Sequence, residues 1–275
     1  MNKKVLIAVS SLSILLVALL IWGGSRKSKA PLQQVPQGQG EKVSFSGLLA
    51  QVKALEVKEK WLEAKNSYQK LISEFSDSSD VMRWQKKVEE INIKLLFSSA
   101  NTPGSTLYEI KLGDTLSKIA KEFKTTPDLI MKSNNMSSDR LVPARKIKVW
   151  AMPFTILVDK SQNLLLLKSN EEVFKTYVVS TGLNNSSPVG NFKITNKLMN
   201  PTWFKAGAVV SAGSPENILG TRWMGFDLAG YGIHGTTEPQ SLGRQVTQGC
   251  VRMLNAEVEE IYTIIPIGTE VTIED

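Results

Sequence analysis

The spacing of apolar residues changes along this chain from a helical period to a strand period. Between Phe45 and Phe97, apolar side chains recur every three or four residues, which is typical of amphipathic helices. From Phe154 onward the pattern becomes strand-like, and glycine and proline interrupt it at short intervals. A segment with one of these periods does not fold stably with the other. The 275-residue chain therefore predicts a multidomain protein in which helical units precede a mostly-β C-terminal domain.

An apolar run precedes these units. Val5–Trp22 is interrupted only by three serines, and as a helix it would be about 27 Å long, close to the hydrocarbon thickness of a bilayer. We predict that residues 1–25 form a single-pass transmembrane helix that anchors the protein. The alternative is a cleaved signal peptide, for which Ser28-Lys29-Ala30 is a candidate site. Residues 26–43 are rich in Gly, Pro, Gln and Ser and predict a flexible linker.

The net charge of +7 is concentrated beside this run. Residues 1–40 contain five lysines and arginines and no acidic residue, so the rest of the chain carries only +2. Basic residues next to an apolar helix favour lipid headgroups. Because the chain has no nucleic-acid-binding signature, we expect a membrane as its partner and no nucleic acid.

Residues 44–98 predict two or three short helices. The positions of Trp61, Ala64 and Tyr68 resemble a single tetratricopeptide-like helix pair. One such pair is marginal alone, because repeats of this kind bury their apolar faces against neighbours. We expect a helical spacer or a protein-contact module, whose protein partner the sequence does not identify.

Residues 106–151 predict a strand, two helices and a strand in that order. Asp114 is the expected N-cap of the first helix, and Thr126-Pro127 is the expected start of the second. With this βααβ order, the phrase Tyr108–Leu116 resembles a LysM module. The resemblance implies binding to the N-acetylglucosamine-containing glycan of peptidoglycan, with Gly113, Asp114 and Thr115 as the glycan-binding residues. The alternative is a small packed module that only separates the parts of the chain on either side of it.

The chain contains one histidine and one cysteine, His234 and Cys250, in glycine-rich sequence sixteen residues apart. A cysteine is a nucleophile only as the thiolate, and a neighbouring imidazole can take the thiol proton and later pass it to a leaving amine. Gly249 would let the backbone bend so that nearby amides face a developing oxyanion. The alternative is a buried, inert cysteine. One histidine and one cysteine make a poor zinc site, so we expect no metal or cofactor.

The sequence around this pair closely resembles the L,D-transpeptidase catalytic domain of the YkuD family, over residues 153–275. The phrases that carry the resemblance are Tyr231–Thr236, Ser241–Arg244 and Gly249–Met253, with Ser180–Gly182, Ser187–Phe192, Asn200–Trp203 and Leu219–Trp223 upstream.

The resemblance implies a role for each matching residue. Cys250 would attack a carbonyl, His234 would be its base, and the Gly235 carbonyl would orient the imidazole. The amides of Gly249 and Cys250 would form the oxyanion hole. Substrate would be bound by Arg252, Tyr231, Thr247 and Trp203. A structural salt bridge is an equal alternative for Arg252.

The implied reaction is formation of 3→3 cross-links in peptidoglycan. A thioester would form on the tetrapeptide stem with release of D-alanine, and the amine of a second stem would resolve it. Water or a protein lysine could resolve it instead, which would give an L,D-carboxypeptidase or attach a protein to the wall. In a different class, the chain could be a non-catalytic wall-binding scaffold. We expect the catalytic domain on the periplasmic or cell-wall side of the cytoplasmic membrane.

Overall fold

The computed structural model describes residues 44–205 and 207–275, which belong to one compact unit. The anchor and the linker predicted for residues 1–25 and 26–43 lie outside the described residues. Among the residues that are described, we find no helix long and apolar enough to cross a membrane.

Three helices open the described chain: α1 (Phe45–Val57), α2 (Trp61–Glu74) and α3 (Val81–Leu96). The Ser44 hydroxyl caps α1 by accepting a hydrogen bond from the Gly47 N–H at 3.1 Å. The apolar positions at helical spacing meet in one cluster, in which Val52, Ala64 and Leu71 are fully buried. The helical period read from the sequence is therefore confirmed as a three-helix packing unit.

A small module follows, made of β1 (Ser105–Glu109), α4 (Leu116–Glu122), α5 (Pro127–Ser133) and β2 (Lys146–Trp150). The two strands pair antiparallel along their full length. Thr126 caps α5 as predicted. The cap of α4 is Thr115, not Asp114, because the Thr115 hydroxyl accepts from the Lys118 N–H. Asp114 instead closes the preceding turn by accepting from the Lys111 N–H at 2.8 Å and the Tyr108 hydroxyl at 2.9 Å.

The C-terminal domain is mostly β, as predicted. Its strands are, in chain order, β3 (Phe154–Asp159), β4 (Leu164–Ser169), β5 (Glu172–Val178), β6 (Thr181–Gly182), β7 (Gly190–Met199), β8 (Trp203–Lys205), β9 (Ala208–Val210), β10 (Arg222–Phe226), β11 (Gly232–His234), β12 (Gln245–Thr247), β13 (Val251–Arg252) and β14 (Glu270–Glu274). Eight of them form one sheet in the order β13-β11-β10-β7-β14-β3-β4-β5, and β6 pairs with β12 and β8 with β9. Helix α6 (Asn255–Ile264) packs against β10 and β11.

Helix α6 begins differently from the sequence-based prediction. The sequence pattern predicts a helix over Ala256–Ile264 that is capped by Asn255, but the N-cap residue is Leu254 and Asn255 is the first residue of the helix. The side chain of Asn255 is therefore available for contacts outside the helix.

The helical segment, predicted as a spacer or protein-contact module over residues 44–98, packs against the C-terminal domain. Helix α3 packs on β5, the edge strand of the large sheet. The buried Glu89 carboxylate accepts from the Thr176 N–H at 3.2 Å and the Thr176 hydroxyl at 3.1 Å. The Asn92 amide donates to the Phe174 carbonyl at 2.9 Å. These bonds use polar groups along a sheet edge that would otherwise face solvent.

The small module is joined to the same body. The Lys148 ammonium is buried and donates to the carbonyls of Leu95 and Ser98, at the end of α3, at 2.7 and 2.9 Å. A cation at a helix C-terminus is stabilised by the helix dipole. Burial lowers the pKa of Lys148 to about 8. One apolar cluster contains Leu96 from α3, Trp150 from β2 and the core of the large sheet.

We predict that Glu89→Ala lowers the free energy of unfolding by about 1–3 kcal/mol, because it leaves the half-buried N–H and hydroxyl of Thr176 without their acceptor. The matched control is Glu90→Ala on the next position. Glu90 is half exposed and paired with Lys87, so its loss should change stability by less than about 0.5 kcal/mol. Urea unfolding of both variants measures the difference. Equal effects would mean that α3 is not bound to the sheet through Glu89.

Candidate active site

Two short parallel strands bring His234 and the Cys250 segment together. Strands β11 and β13 pair with Ile233 opposite Val251 and His234 opposite Arg252. Ile233 and Val251 are fully buried in the core. Because side chains alternate along a strand, His234 and Arg252 face the other side of the sheet. Cys250 immediately precedes β13, and its Sγ lies 3.5 Å from the Gly230 carbonyl, at the entrance to β11.

The imidazole of His234 is held by its own chain. Its Nδ1 lies 2.6 Å from the Gly235 carbonyl oxygen, which can only accept a hydrogen bond. The neutral ring therefore carries its proton on Nδ1 and keeps the lone pair on Nε2. The Trp223 ring stacks beside it, with centroids 6.0 Å apart and an interplanar angle of 17°. The geometry leaves Nε2 as the atom that can accept a proton.

Asn255 fixes the segment that follows the histidine. Its Oδ1 accepts from the backbone N–H groups of Thr221 and Thr236, each at 3.1 Å. A Cβ on Gly235 would lie 2.2 Å from the same Oδ1, so only glycine fits there. Sequence reasoning missed this contribution because asparagine at a helix start was assigned to capping. A local sequence pattern does not reveal these contacts of Asn255, because its partners lie 19 and 34 residues away.

The loop before Cys250 is organised by Thr247. The Thr247 hydroxyl donates to the Cys250 carbonyl at 2.7 Å and accepts from the Gly249 N–H at 3.2 Å. Gly249 has a φ of +123°, and a Cβ there would lie 2.6 Å from the Tyr231 ring. In this structure the Thr247 hydroxyl therefore bonds within the loop, and the Gly249 N–H is paired with it.

Arg252 is buried and bound to a neighbouring loop. Its Nη1 donates to the Glu238 carboxylate at 2.7 Å and to the Ser241 hydroxyl at 3.0 Å. Its backbone exchanges both hydrogen bonds with Ser180. Of the two roles considered for Arg252, the structural salt bridge is the one that this geometry contains. The sequence did not identify Glu238 as the partner.

The other predicted contact residues lie in different places. The ring of Tyr231 is half-buried against Gly249 and the domain core. Trp203 lies on β8, opposite Val210 on the β8–β9 hairpin. Gly113, Asp114 and Thr115 belong to the small module. There, Asp114 and Thr115 line a groove of about 280 Å³ with Met131 and Asp139 among others. Tyr231, Trp203 and the predicted glycan-binding residues therefore lie on three separate parts of the structure.

Burial sets the charge state of the reactive pair. It lowers the pKa of His234 to about 4, and the positive charge of Arg252 acts in the same direction, while the Gly235 hydrogen bond opposes it. Burial also raises the pKa of the Cys250 thiol, against the opposing effects of the Gly232 backbone and Arg252. At neutral pH the resting site therefore holds a neutral thiol and a neutral imidazole. Such a pair can work by general-base catalysis, with the proton moving as the thiol attacks.

Comparison with known proteins gives two family matches. The family profile of the L,D-transpeptidase catalytic domain (YkuD) matches residues 153–273, and that of the LysM domain matches residues 108–150. YkuD of Bacillus subtilis (strain 168), named as an L,D-transpeptidase, is 34% identical over 173 residues, which span 60% of this chain and 97% of YkuD. YqjB of the same bacterium, also so named, is 41% identical over 126 residues, 44% of this chain and 70% of YqjB.

A solved structure shares a weaker likeness. The crystal structure of L,D-transpeptidase 3 from Mycobacterium tuberculosis, in complex with a faropenem-derived adduct, matches 49% of this chain and 66% of that chain. The identity is 14% and the TM-score 0.39. Because this likeness is too weak to carry a functional conclusion, membership of the family rests on the family profiles and the two Bacillus proteins.

The raised pKa of Cys250 predicts how the thiol reacts with iodoacetamide. The alkylation rate should rise steadily with pH and should not level off between about pH 6 and 8, because the thiolate forms only above the range of an ordinary cysteine, near 8.5. N-acetylcysteine is the reference compound. A plateau below pH 7 would reveal a preformed thiolate–imidazolium pair and contradict the neutral resting state.

The lowered pKa of His234 predicts a loss of stability in mild acid. The unfolded chain binds a proton near pH 6.5 and the folded chain only near pH 4, so the stability present at pH 7 falls as the pH drops through this window. The full loss is roughly 3 kcal/mol by the linkage relation. His234 is the single histidine, so the loss should be much smaller in His234→Gln. Identical pH profiles for both proteins, measured by urea unfolding, would contradict this assignment.

Proposed function

The chain belongs to the L,D-transpeptidase family, with a YkuD-type catalytic domain and an upstream LysM domain, and we propose that it forms 3→3 cross-links in peptidoglycan through a thioester on Cys250. The observation that carries this proposal is the fixed tautomer of His234 on the strand beside the Cys250 segment. The Cys250 thiol and the His234 imidazole are both neutral at rest, which fits an enzyme whose nucleophile must not react with other acyl groups.

The first step is attack on the peptide stem. The Cys250 thiol attacks the carbonyl of the third residue, a diamino acid, in a tetrapeptide that ends in D-alanine. His234 Nε2 takes the thiol proton, and the Gly235 carbonyl stabilises the imidazolium that forms. The C–N bond to D-alanine then breaks, the imidazolium returns the proton to the leaving amine, and a thioester remains.

The oxyanion of this step needs a donor. The Gly249 N–H is paired with Thr247, so we assign the oxyanion contact to the Cys250 N–H. One donor of this kind is typically worth about 10²–10³ in rate. Of the two amides expected to form the oxyanion hole, those of Gly249 and Cys250, the proposal therefore keeps only the Cys250 amide.

The second step resolves the thioester. The side-chain amine of a neighbouring stem attacks it and loses a proton to His234, and a 3→3 peptide bond forms while the thiol is restored. Water in place of the amine would give an L,D-carboxypeptidase, and a protein lysine would attach that protein to the wall. A non-catalytic scaffold would not need the fixed imidazole.

The remaining parts of the chain fit work on a polymer. We propose that residues 106–151 hold the glycan through the groove at Asp114 and Thr115, which raises the effective concentration of stems at residues 153–275. We propose residues 1–25 as a single-pass membrane anchor and residues 26–43 as its tether, on the strength of the apolar run Val5–Trp22. Peptidoglycan as the substrate fits a location outside the cytoplasm, on the periplasmic or wall side.

We predict that intact-mass spectrometry of the full-length protein with a disaccharide-tetrapeptide detects a covalent adduct and released D-alanine. Cys250→Ala should give neither, since it removes the nucleophile. The soluble products then separate the reactions: a cross-linked dimer identifies the transpeptidase, and a tripeptide stem identifies hydrolysis. A folded wild-type protein that gives no adduct and no D-alanine would leave the wall-binding scaffold as the better proposal.

A further inference from the structure

Ser187 is a buried residue that the proposed mechanism does not use. It is 3% exposed, and it lies 62 residues before Gly249 in the sequence. Its hydroxyl accepts from the Gly182 N–H at 2.8 Å and donates to the Gly249 carbonyl at 2.9 Å. A serine hydroxyl has one proton, so these two bonds fix its orientation.

The hydrogen bond from Ser187 to the Gly249 carbonyl also sets the direction of the Cys250 N–H, because both groups belong to the same peptide. The peptide is trans, and in a planar trans peptide the C=O and N–H bonds point in opposite directions. Ser187 holds the Gly249 carbonyl toward the protein interior. The Cys250 N–H must then point away from the interior, which is the direction that an oxyanion donor needs.

Backbone sterics alone do not hold this peptide. Gly249 adopts a φ of +123°, in a region that glycine occupies with wide freedom. Two hydroxyls instead hold the groups of this residue: Thr247 accepts from its N–H and Ser187 donates to its carbonyl. A hydrogen bond to the carbonyl also polarises the peptide and strengthens its N–H as a donor.

Lys160 holds Ser187 in turn. Its buried ammonium donates to the Ser187 carbonyl at 2.9 Å and pairs with the Asp275 carboxylate at 3.0 Å. Its own backbone N–H donates to the Glu274 carbonyl of β14. Ser187 is therefore fixed to the end of the large sheet and cannot follow the Gly249 carbonyl if the loop moves.

We infer that Ser187, anchored by Lys160, is a positioning residue that aims the Cys250 N–H at the oxyanion of the acyl-transfer step. This role rests on the proposed thioester chemistry. Ser187 should affect acyl transfer only, because the thiol itself is not bonded to this network. Alkylation of the thiol at a saturated carbon forms no oxyanion and should be indifferent to Ser187.

The test compares two reactions of Cys250 in full-length variants. Ser187→Ala should lower kcat for D-alanine release by about 10–100-fold, a part of what one oxyanion donor contributes, with little change in KM. Its rate of alkylation by iodoacetamide should stay within about twofold of wild type. Ser169→Ala is the matched control, because Ser169 is also buried and donates to a carbonyl, that of Pro153, elsewhere in the domain.

A second pair keeps the test valid if Ser187→Ala folds poorly. Ser187→Thr and Ser187→Val have the same shape and differ only in the hydroxyl, so Thr should retain the acylation rate and Val should lose it. Equal kcat for Thr and Val, or an equal fall in acylation and alkylation, would overturn the inference. If the wild-type protein itself releases no D-alanine, the proposed function fails, and that result is distinct from a failure of the Ser187 role alone.

Discussion

The parallel pairing of β11 with β13 is the constraint on which the reactive site depends. Each strand is two or three residues long, and their pairing places His234 opposite Arg252, with Cys250 directly before β13. So short a ladder has few backbone hydrogen bonds of its own. It is stabilised by the buried side chains of Ile233 and Val251 on one face and by the Ser180 backbone along the outer edge of β13.

Residues from other elements also hold the loop segments next to the two strands. Asn255 on α6 holds the chain after His234, and Ser187 holds the chain before Cys250. Each contact donates to or accepts from backbone, so it sets the direction of a peptide group and not only the position of a side chain. Reactive residues in glycine-rich loops need such contacts, because the loop backbone is free to adopt other conformations.

The sequence predicted the repeating features and missed the long-range ones. Periodicity located the three helices, the βααβ order of the small module and the mostly-β domain, because each depends on neighbours within a few residues. Two caps were misassigned: the acid at Asp114 and the amide at Asn255 bond to groups that a local pattern does not reveal. The packing of α3 on β5 through Glu89 was also missed, since it joins residues 87 positions apart. The sequence predicted His234 and Cys250 as the reactive pair, but it does not reveal that the Thr247 and Arg252 side chains are hydrogen-bonded within the protein.

The charge state of the site gives the oxyanion contact a large part in the proposed acyl transfer. Moving the proton from a thiol whose pKa is raised by burial to an imidazole whose pKa is lowered by burial is unfavourable in the resting enzyme. The thiolate is therefore not formed in the resting enzyme. The free energy needed to form it must be offset when negative charge passes to the substrate oxygen. A donor aimed at that oxygen, with a hydrogen-bonded and buried carbonyl behind it, supplies stabilisation at that moment and leaves the resting thiol protected.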